Sequence, residues 1–154
     1  MGRRVYIAYG SNMSMEQMHH RCRHSHVIAK GYLNGYELNF CGNIAGNNYA
    51  TVIEKEGAKT PVLVWVTTRI DEMNLDLYEG CPSFYRKETI SPTCMELENI
   101  YGDDDLFIDE AYIYIMNSNH TGMPSRYYLM GIADAYKEFG FDLKYLQDAI
   151  ARIK

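Results

Sequence analysis

The segment that decides the fold spans Arg3–Asn12 and reads Arg-Arg-Val-Tyr-Ile-Ala-Tyr-Gly-Ser-Asn. Its β-branched and aromatic residues predict a strand over residues 3–9, which ends abruptly in the polar turn Tyr9–Asn12. A helix signal follows at Ser14, which has the capping-box spacing with Gln17. A strand, a tight turn and a helix in this order direct several backbone N–H groups at one point, which suits a bound carboxylate or a developing oxyanion.

The composition indicates one ordinary globular domain. The chain has 154 residues, of which 47% are hydrophobic and 23% are charged, so we expect a single domain over residues 1–154. The net charge of −5 argues against a broad nucleic-acid or anionic-membrane surface. No apolar run approaches the roughly 18–20 residues of a transmembrane helix, and Gly10–Asn12 interrupts the apolar segment that a signal peptide needs. We therefore expect a cytoplasmic protein with no nucleic-acid and no membrane partner.

The cysteines and tyrosines indicate which kinds of functional site the chain can form. The four cysteines form no Cys-x-x-Cys pair, so we expect reduced thiols rather than a zinc ribbon or a thioredoxin-type site. There are 14 tyrosines against one tryptophan. Tyrosine combines apolar area with a hydroxyl, which suits a partly polar cavity as well as ordinary strand packing.

Strands predominate in the middle of the chain and helices near both ends. Asn34-Gly35 has the sequence of a hairpin turn between strands 27–33 and 36–40, residues 42–48 form a predicted loop, and the aspartates at 103–105 mark an exposed turn. The other predicted strands cover residues 49–54, 61–67, 85–90, 93–97 and 109–116, and the other predicted helices cover residues 71–78, 125–139 and 142–153. This order predicts a mixed α/β (α+β-like) fold built on a curved sheet or a small barrel.

Glu79 is an acidic residue at a position where helix preferences disfavour a negative charge. It falls at the C-terminal end of a short predicted helix, where the helix dipole disfavours a carboxylate by about 0.3–1 kcal/mol. An acid with a raised pKa is a candidate general base, although a solvated glutamate before the helix-stopping Gly80 fits the same pattern. The turn Tyr9–Asn12 also has a plain alternative, because Ser and Asn commonly cap helices.

A histidine-rich segment invites a metal site but does not support one. His20 and His24 are spaced i, i+4 without the Glu of a zinc-protease motif. Arg21 and Arg23 lie among the histidines and would repel a cation. We therefore interpret the segment as a solvated basic helix end and expect no metal and no cofactor.

Short motifs along the chain resemble those of the γ-glutamylcyclotransferase-like superfamily. Tyr9-Gly10-Ser11-Asn12 after an opening strand resembles its N-terminal signature. Leu75-Asp76 and Glu79-Gly80, followed by Tyr85, resemble the segment that carries its catalytic glutamate. Tyr114 in a late strand and Tyr128 in the closing helix also match the family pattern, and the resemblance runs from about residue 5 to about residue 150.

The resemblance implies a small mixed-sheet β-barrel flanked by helices and a cofactor-independent reaction. In that reaction the α-amine of a γ-glutamyl amide attacks its own side-chain carbonyl and releases 5-oxoproline and a free amine. Glu79 would take a proton from the substrate ammonium group and later deliver one to the leaving amine. Backbone N–H groups of the turn would hold the substrate α-carboxylate or the oxyanion. The residues implied to contact the substrate are Tyr9, Gly10, Ser11, Asn12, Tyr85, Tyr114 and Tyr128.

Several alternatives remain at the level of the sequence. The leaving group is open among amino acids, lysine-type amines and protected antibiotic intermediates. The same cavity in a non-catalytic module would bind a carboxylate ligand without turnover. A single-stranded nucleic-acid binder is suggested by the tyrosines and opposed by the net charge of −5. An unrelated structural domain fits only if Glu79 lies far from residues 9–12. A homodimer is compatible with the sequence, which identifies no interface.

Overall fold

The computed structural model describes residues 3–43, 47–100 and 108–154. Its strands are β1 (Arg4–Ala8), β2 (His26–Gly42), β3 (Asn48–Thr67), β4 (Tyr85–Ile90), β5 (Met95–Asn99) and β6 (Ala111–Met116). Its α-helices are α1 (Met15–Arg21), α2 (Arg69–Tyr78), α3 (Arg126–Phe139) and α4 (Lys144–Ala151), and short 3-10 turns cover Ser11–Met13 and Pro92–Cys94. The turn predicted at residues 103–105 and the centre of the loop predicted at residues 42–48 lie outside the described residues.

The six strands form one mixed sheet in the order β4-β6-β1-β3-β2-β5. β1 lies near the middle, antiparallel to β3 and parallel to β6. The mixed α+β fold is confirmed, but the barrel expectation is too strong, because β4 and β5 remain the two edges of the sheet among the described strands. β5 is only five residues long and pairs with Ala29–Leu33 of β2, and in the described strands no pairing joins it to β4.

The hairpin predicted at Asn34-Gly35 is wrong. β2 continues through this dipeptide, and its register against β3 shifts between Asn34 and Tyr36. Gly35 has a φ of +83°, which suits a bulge as well as a hairpin turn. The partner strand decides between them, since β3 pairs with β2 on both sides of the bulge. The predicted strands 27–33 and 36–40 are therefore one strand, as are 49–54 and 61–67.

Capping residues set the helix boundaries largely as predicted. The Ser14 hydroxyl accepts a hydrogen bond from the Gln17 N–H and begins α1, and the Ser125 hydroxyl does the same for α3. Gly140, at φ +78°, ends α3 in the left-handed conformation. α2 begins two residues before the prediction because Thr68 forms a reciprocal capping box with Asp71.

The apolar core lies between the sheet and the helices. The run at residues 62–66 is almost entirely buried, as its continuous apolar character predicted. Leu75 of α2 and Ile132 of α3 are completely buried in this core. In the described parts of the chain no helix is long and apolar enough to cross a bilayer.

Candidate active site

The turn that follows β1 presents unpaired backbone donors. In the 3-10 turn, the Met13 N–H donates to the Gly10 carbonyl at 3.0 Å and the Ser14 N–H donates to the Ser11 carbonyl at 3.1 Å. The N–H groups of Gly10, Ser11 and Asn12 have no acceptor within residues 3–43, 47–100 and 108–154. The first N–H groups of a helical turn lack intrahelical partners, and they are available to an anion.

Gly10 lies in a closely packed position. A Cβ at this position would lie 3.2 Å from the Ala50 Cβ and 3.2 Å from the Tyr128 hydroxyl oxygen. A side chain here would require Ala50, Tyr128 or the turn itself to move by a few tenths of an ångström. The glycine therefore lets the backbone N–H groups approach the same space as the Tyr128 hydroxyl.

Glu79 caps the C-terminal end of α2. Its N–H donates to the Leu75 carbonyl at 2.8 Å, and Gly80, at φ +63°, turns the chain out of the helix. Burial of the carboxyl group raises the pKa of Glu79 to about 7, and the nearby Arg21 guanidinium partly opposes that rise. A carboxyl group with this pKa exchanges protons readily near neutral pH.

The turn and Glu79 face one cavity of about 260 Å³. All eight residues singled out from the sequence line it, namely Tyr9, Gly10, Ser11, Asn12, Glu79, Tyr85, Tyr114 and Tyr128. The alternative in which Glu79 lies far from residues 9–12 therefore does not describe this chain. The sheet accounts for the convergence, since β1 lies between β3 and β6 and places the turn beside the end of α2.

Three of the predicted tyrosines use their hydroxyl hydrogens within the protein. Tyr9 donates to the Tyr114 carbonyl at 2.5 Å, Tyr85 to the Ala50 carbonyl at 2.7 Å, and Tyr114 to the Asp76 carboxylate at 2.6 Å. These side chains shape the cavity wall and hold its strands together. Tyr128 differs, because its oxygen accepts from the Ala50 N–H at 3.0 Å and its own hydrogen remains available.

A charged network supports the wall behind Tyr114. Asp76 accepts hydrogen bonds from the Tyr114 hydroxyl and from the Lys87 ammonium group at 3.0 Å. Lys87 also bonds Glu72 at 2.7 Å, and Glu72 accepts from Arg4 at 2.9 Å. The paired cations hold the pKa of Glu72 below its usual range against the opposing effect of burial. The network joins α2 to β1, β4 and β6 and thereby fixes the helix that carries Glu79.

Five lining residues were not identified from the sequence: Tyr6, Tyr49, Ala50, Tyr78 and Phe84. Tyr6 could have been suspected because it lies on the strand that leads into the turn. Phe84 and Tyr78 are sequence neighbours of Tyr85 and Glu79. Nothing in the local sequence marks Tyr49, whose ring packs at the site against the Phe84 and Tyr128 rings.

Arg21, which contacts the turn, was also not identified from the sequence as a site residue. Its Nη1 donates to the Ser11 hydroxyl at 3.3 Å and makes a close contact with Oδ1 of Asn12. Its guanidinium carbon lies 3.6 Å from the Tyr78 ring centroid, within the range of a cation–π contact. Arg21 therefore connects the turn to the helix end that carries Glu79.

Among the described residues that line the cavity, Glu79 carries the one carboxyl group, and none has a basic side chain. Within the ranges described above, no group of three or more His, Cys, Asp or Glu side chains is placed to hold a metal ion. The arrangement offers a general acid/base, free N–H donors and tyrosine hydroxyls. This set is suited to proton transfer beside a bound anion.

Solved structures share this fold at low sequence identity. A γ-glutamyl cyclotransferase superposes with a TM-score of 0.75 at 24% identity, covering 99% of this chain and 88% of its own. YkqA from Bacillus subtilis superposes with a TM-score of 0.78 at 16% identity, and the match covers 100% of this chain but 56% of YkqA. A yeast γ-glutamyl cyclotransferase specific to glutathione gives a TM-score of 0.59 at 12% identity, covering 99% and 98% of the two chains. A search of curated proteins finds no match.

The family assignment comes from the sequence itself. The model of the γ-glutamyl cyclotransferase, AIG2-like family matches residues 6–130. The match begins in β1, contains the turn Gly10–Asn12 and Glu79, and ends in α3, so it includes every element that lines the cavity. The chain belongs to the γ-glutamyl cyclotransferase, AIG2-like family.

Proposed function

We propose that this protein cleaves a γ-glutamyl amide by intramolecular cyclisation, releasing 5-oxoproline and a free amine. One observation carries the proposal: the carboxyl group of Glu79, with a pKa of about 7, lines the same small cavity as the unpaired N–H groups of Gly10–Asn12. The reaction needs a base for the substrate ammonium group and donors for an anion. Both are present within one cavity.

Glu79 acts as the proton carrier of the reaction. Its carboxylate takes a proton from the α-ammonium group, and the freed amine attacks the side-chain carbonyl carbon to form the five-membered ring. The tetrahedral intermediate then collapses with cleavage of the bond to the leaving nitrogen. Two protons move from the ammonium nitrogen to the leaving nitrogen, and Glu79 carries them one at a time. No other reactant is consumed, so atoms and charge balance.

The turn holds the anionic part of the substrate. The N–H groups of Gly10, Ser11 and Asn12 bind the α-carboxylate or the oxyanion of the intermediate. Because ring closure is intramolecular, the protein's main task is to fold the glutamyl group into an attack geometry. The cavity of about 260 Å³ is small, below the roughly 300–1,000 Å³ of pockets for drug-sized ligands, and suits an amino-acid-sized group.

The leaving amine departs past an aromatic rim. Tyr49 and Tyr78 are substantially exposed lining residues, and the Tyr49 ring meets the Phe84 ring edge-on with centroids 6.1 Å apart. Amino acids, lysine-type amines and protected antibiotic intermediates are the candidate leaving groups. The rim supplies apolar contact to any of them.

The direct test is release of 5-oxoproline from a panel of γ-glutamyl amines by the wild-type protein and by Glu79→Gln. We expect turnover of at least one substrate by the wild type and none by Glu79→Gln, with unchanged folding by circular dichroism. Glu98→Gln is a matched control, because Glu98 is an exposed residue on the edge strand β5. Undiminished turnover by Glu79→Gln would disprove the role of the carboxylate.

A second candidate is a carboxylate-binding module that uses the same cavity without turnover. The free N–H groups of the turn favour it, because they bind an anion whether or not a reaction follows. In that case glutamate or 5-oxoproline raises the melting temperature of the protein while the whole panel gives no product.

A further inference from the structure

Tyr6 of β1 lines the cavity, and its hydroxyl oxygen acts as a hydrogen-bond acceptor. The side chain is 4% exposed, and its oxygen accepts a hydrogen bond from Nδ2 of Asn12 at 2.9 Å. Across the described ranges this hydroxyl makes no other hydrogen bond. A buried hydroxyl ordinarily uses its hydrogen, so the direction in which the Tyr6 hydrogen points has consequences for the site.

Arg21 determines that direction through Asn12. A guanidinium group has donors only, so the Asn12 atom that faces Arg21 must be the amide oxygen Oδ1. The amide nitrogen Nδ2 then faces Tyr6 and, having donors only, obliges the Tyr6 oxygen to accept. The Tyr6 hydrogen is left for the cavity.

Two contacts hold the Arg21 side chain, and a third holds its main chain. Its Nη1 also donates to the Ser11 hydroxyl, its guanidinium stacks on the Tyr78 ring, and its carbonyl accepts from Nδ2 of Asn74 at 3.3 Å. These contacts keep Arg21 from turning away from Asn12. The amide of Asn12 therefore has one orientation.

Tyr6 remains a neutral donor beside the general acid/base. Burial raises the pKa of the Tyr6 hydroxyl well above its ordinary value, and the negative charge of Glu79, which lines the same cavity, raises it further. Glu79 must reach the amine that attacks the carbonyl carbon. Because Tyr6 and Glu79 line the same small cavity, a glutamyl group whose amine lies at Glu79 brings its side-chain carbonyl into the space that Tyr6 lines.

We propose that Tyr6 is a catalytic residue whose hydroxyl donates a hydrogen bond to the scissile carbonyl oxygen as that oxygen gains negative charge. Arg21 and Asn12 are positioning residues that orient the hydroxyl hydrogen. The proton stays on Tyr6 throughout, and no bond of the protein is made or broken. The inference rests on the cyclotransferase activity proposed above.

The first test is Tyr6→Phe, which removes the donor and keeps the ring. Loss of one oxyanion donor lowers kcat by about 100- to 1,000-fold, and we expect a loss of this size with KM within about threefold of wild type. Tyr112→Phe is the matched control. The Tyr112 ring stacks on Tyr6 with centroids 5.3 Å apart, but its hydroxyl bonds Thr67 at 2.7 Å and Tyr112 does not line the cavity.

The second test is Asn12→Asp. It keeps the shape of the side chain but replaces the amide group that donates to Tyr6 with an acceptor. A carboxylate accepts from Arg21 but offers no donor to Tyr6, so Tyr6 would turn its hydrogen toward it and away from the substrate. We expect kcat to fall by at least about 30-fold in the wild-type background, a large part of the loss of one donor. In the Tyr6→Phe background the same change should lower kcat by less than about threefold, because the donor is already gone.

The outcomes separate the two proposals. Turnover by the wild type with kcat of Tyr6→Phe within about threefold would overturn the role of Tyr6 and leave the cyclotransferase activity standing. Independent, multiplying losses in Tyr6→Phe and Asn12→Asp would overturn the orienting role of Asn12. No 5-oxoproline from any substrate with the wild type would remove the proposed function, and this inference with it. If Tyr6→Phe does not fold, full kcat in Asn12→Asp alone overturns the proposal.

Discussion

Tyr9 donates its hydroxyl hydrogen to the main-chain carbonyl of Tyr114 across a sequence separation of 105 residues, at 2.5 Å. The bond joins the end of β1 to β6 and so connects the turn Gly10–Asn12 to the strand that pairs with β4. Both side chains line the cavity. The wall of the cavity is therefore built from hydrogen bonds that also hold the sheet together.

Tyr9→Phe should destabilise the fold. The change leaves the buried Tyr114 carbonyl without this donor, which typically costs about 1–3 kcal/mol in the free energy of unfolding. Urea denaturation of the two proteins measures the difference. Tyr127→Phe is the control, because Tyr127 is 86% exposed and should change stability little. Equal midpoints for Tyr9→Phe and wild type would contradict the importance of the bond.

Glu79 should make the fold less stable as the pH rises. The folded-state pKa of about 7 lies above the ordinary value of 4.5, so the folded state holds its proton more tightly than the unfolded state. The penalty is absent below pH 4.5, grows between these two values and is complete above pH 7. It amounts to at most about 3 kcal/mol, since the side chain is only partly buried.

Glu79→Gln removes that penalty and gives the comparison. Its stability relative to wild type should rise between pH 5 and pH 8, when both proteins are unfolded in urea at each pH. Glu98→Gln, on the exposed edge strand, should show no such pH-dependent gain. A constant stability difference between Glu79→Gln and wild type over this range would show that the carboxyl group is not buried in its charged form.

The Glu79 carboxyl group should also determine how kcat/KM changes with pH on the acidic side. A general base must be ionised, so kcat/KM should rise tenfold per pH unit below a midpoint near pH 7 and then level off. Arg21→Met should move that midpoint to higher pH, because the Arg21 charge lowers the pKa of Glu79. Arg69→Met is the control, since Arg69 is exposed at the start of α2. A midpoint near 4.5, the ordinary value for a glutamate, would contradict the raised pKa of Glu79.

Gly10→Ala should impair activity more than stability. The added Cβ would lie 3.2 Å from both Ala50 Cβ and the Tyr128 oxygen, and we expect the turn to shift by a few tenths of an ångström to relieve these contacts. Such a shift misplaces the N–H groups that bind the anion, and we expect kcat/KM to fall by about tenfold or more. Gly131→Ala is the control.

Gly131→Ala makes the same substitution at a position with room for a Cβ. A Cβ at Gly131 meets only Nε2 of Gln17 at 3.7 Å, an ordinary contact within α3. Because alanine favours a helix over glycine by about 1 kcal/mol, Gly131→Ala should stabilise the protein and leave kcat/KM unchanged. Full activity of Gly10→Ala would show that the position of the turn is not critical.

Local signals in the sequence were sufficient for most helix boundaries and pointed to the candidate turn and acid, whose function only the family resemblance then suggested. Ser14, Ser125 and Gly140 mark helix ends through bonds and backbone angles that involve their immediate neighbours, and such interactions are visible in a short window. The turn Gly10–Asn12 and Glu79 were found in the same way, from residue type and position relative to an element end. Asn34-Gly35 was misread because a bulge and a hairpin use the same residues, and only the partner strand distinguishes them.

By itself, the sequence determined the mixed α+β class, the helix boundaries set by capping residues, and a candidate acid and turn. Only the tertiary structure decided that these two meet in one cavity, that the sheet stays open, and that Tyr6, Tyr49 and Arg21 belong to the site. The reason is physical. Capping and turn preferences act over a few residues, whereas strand pairing and desolvation join residues far apart in the chain. The pKa of Glu79 is raised by burial, and burial exists only once the sheet and helices have packed.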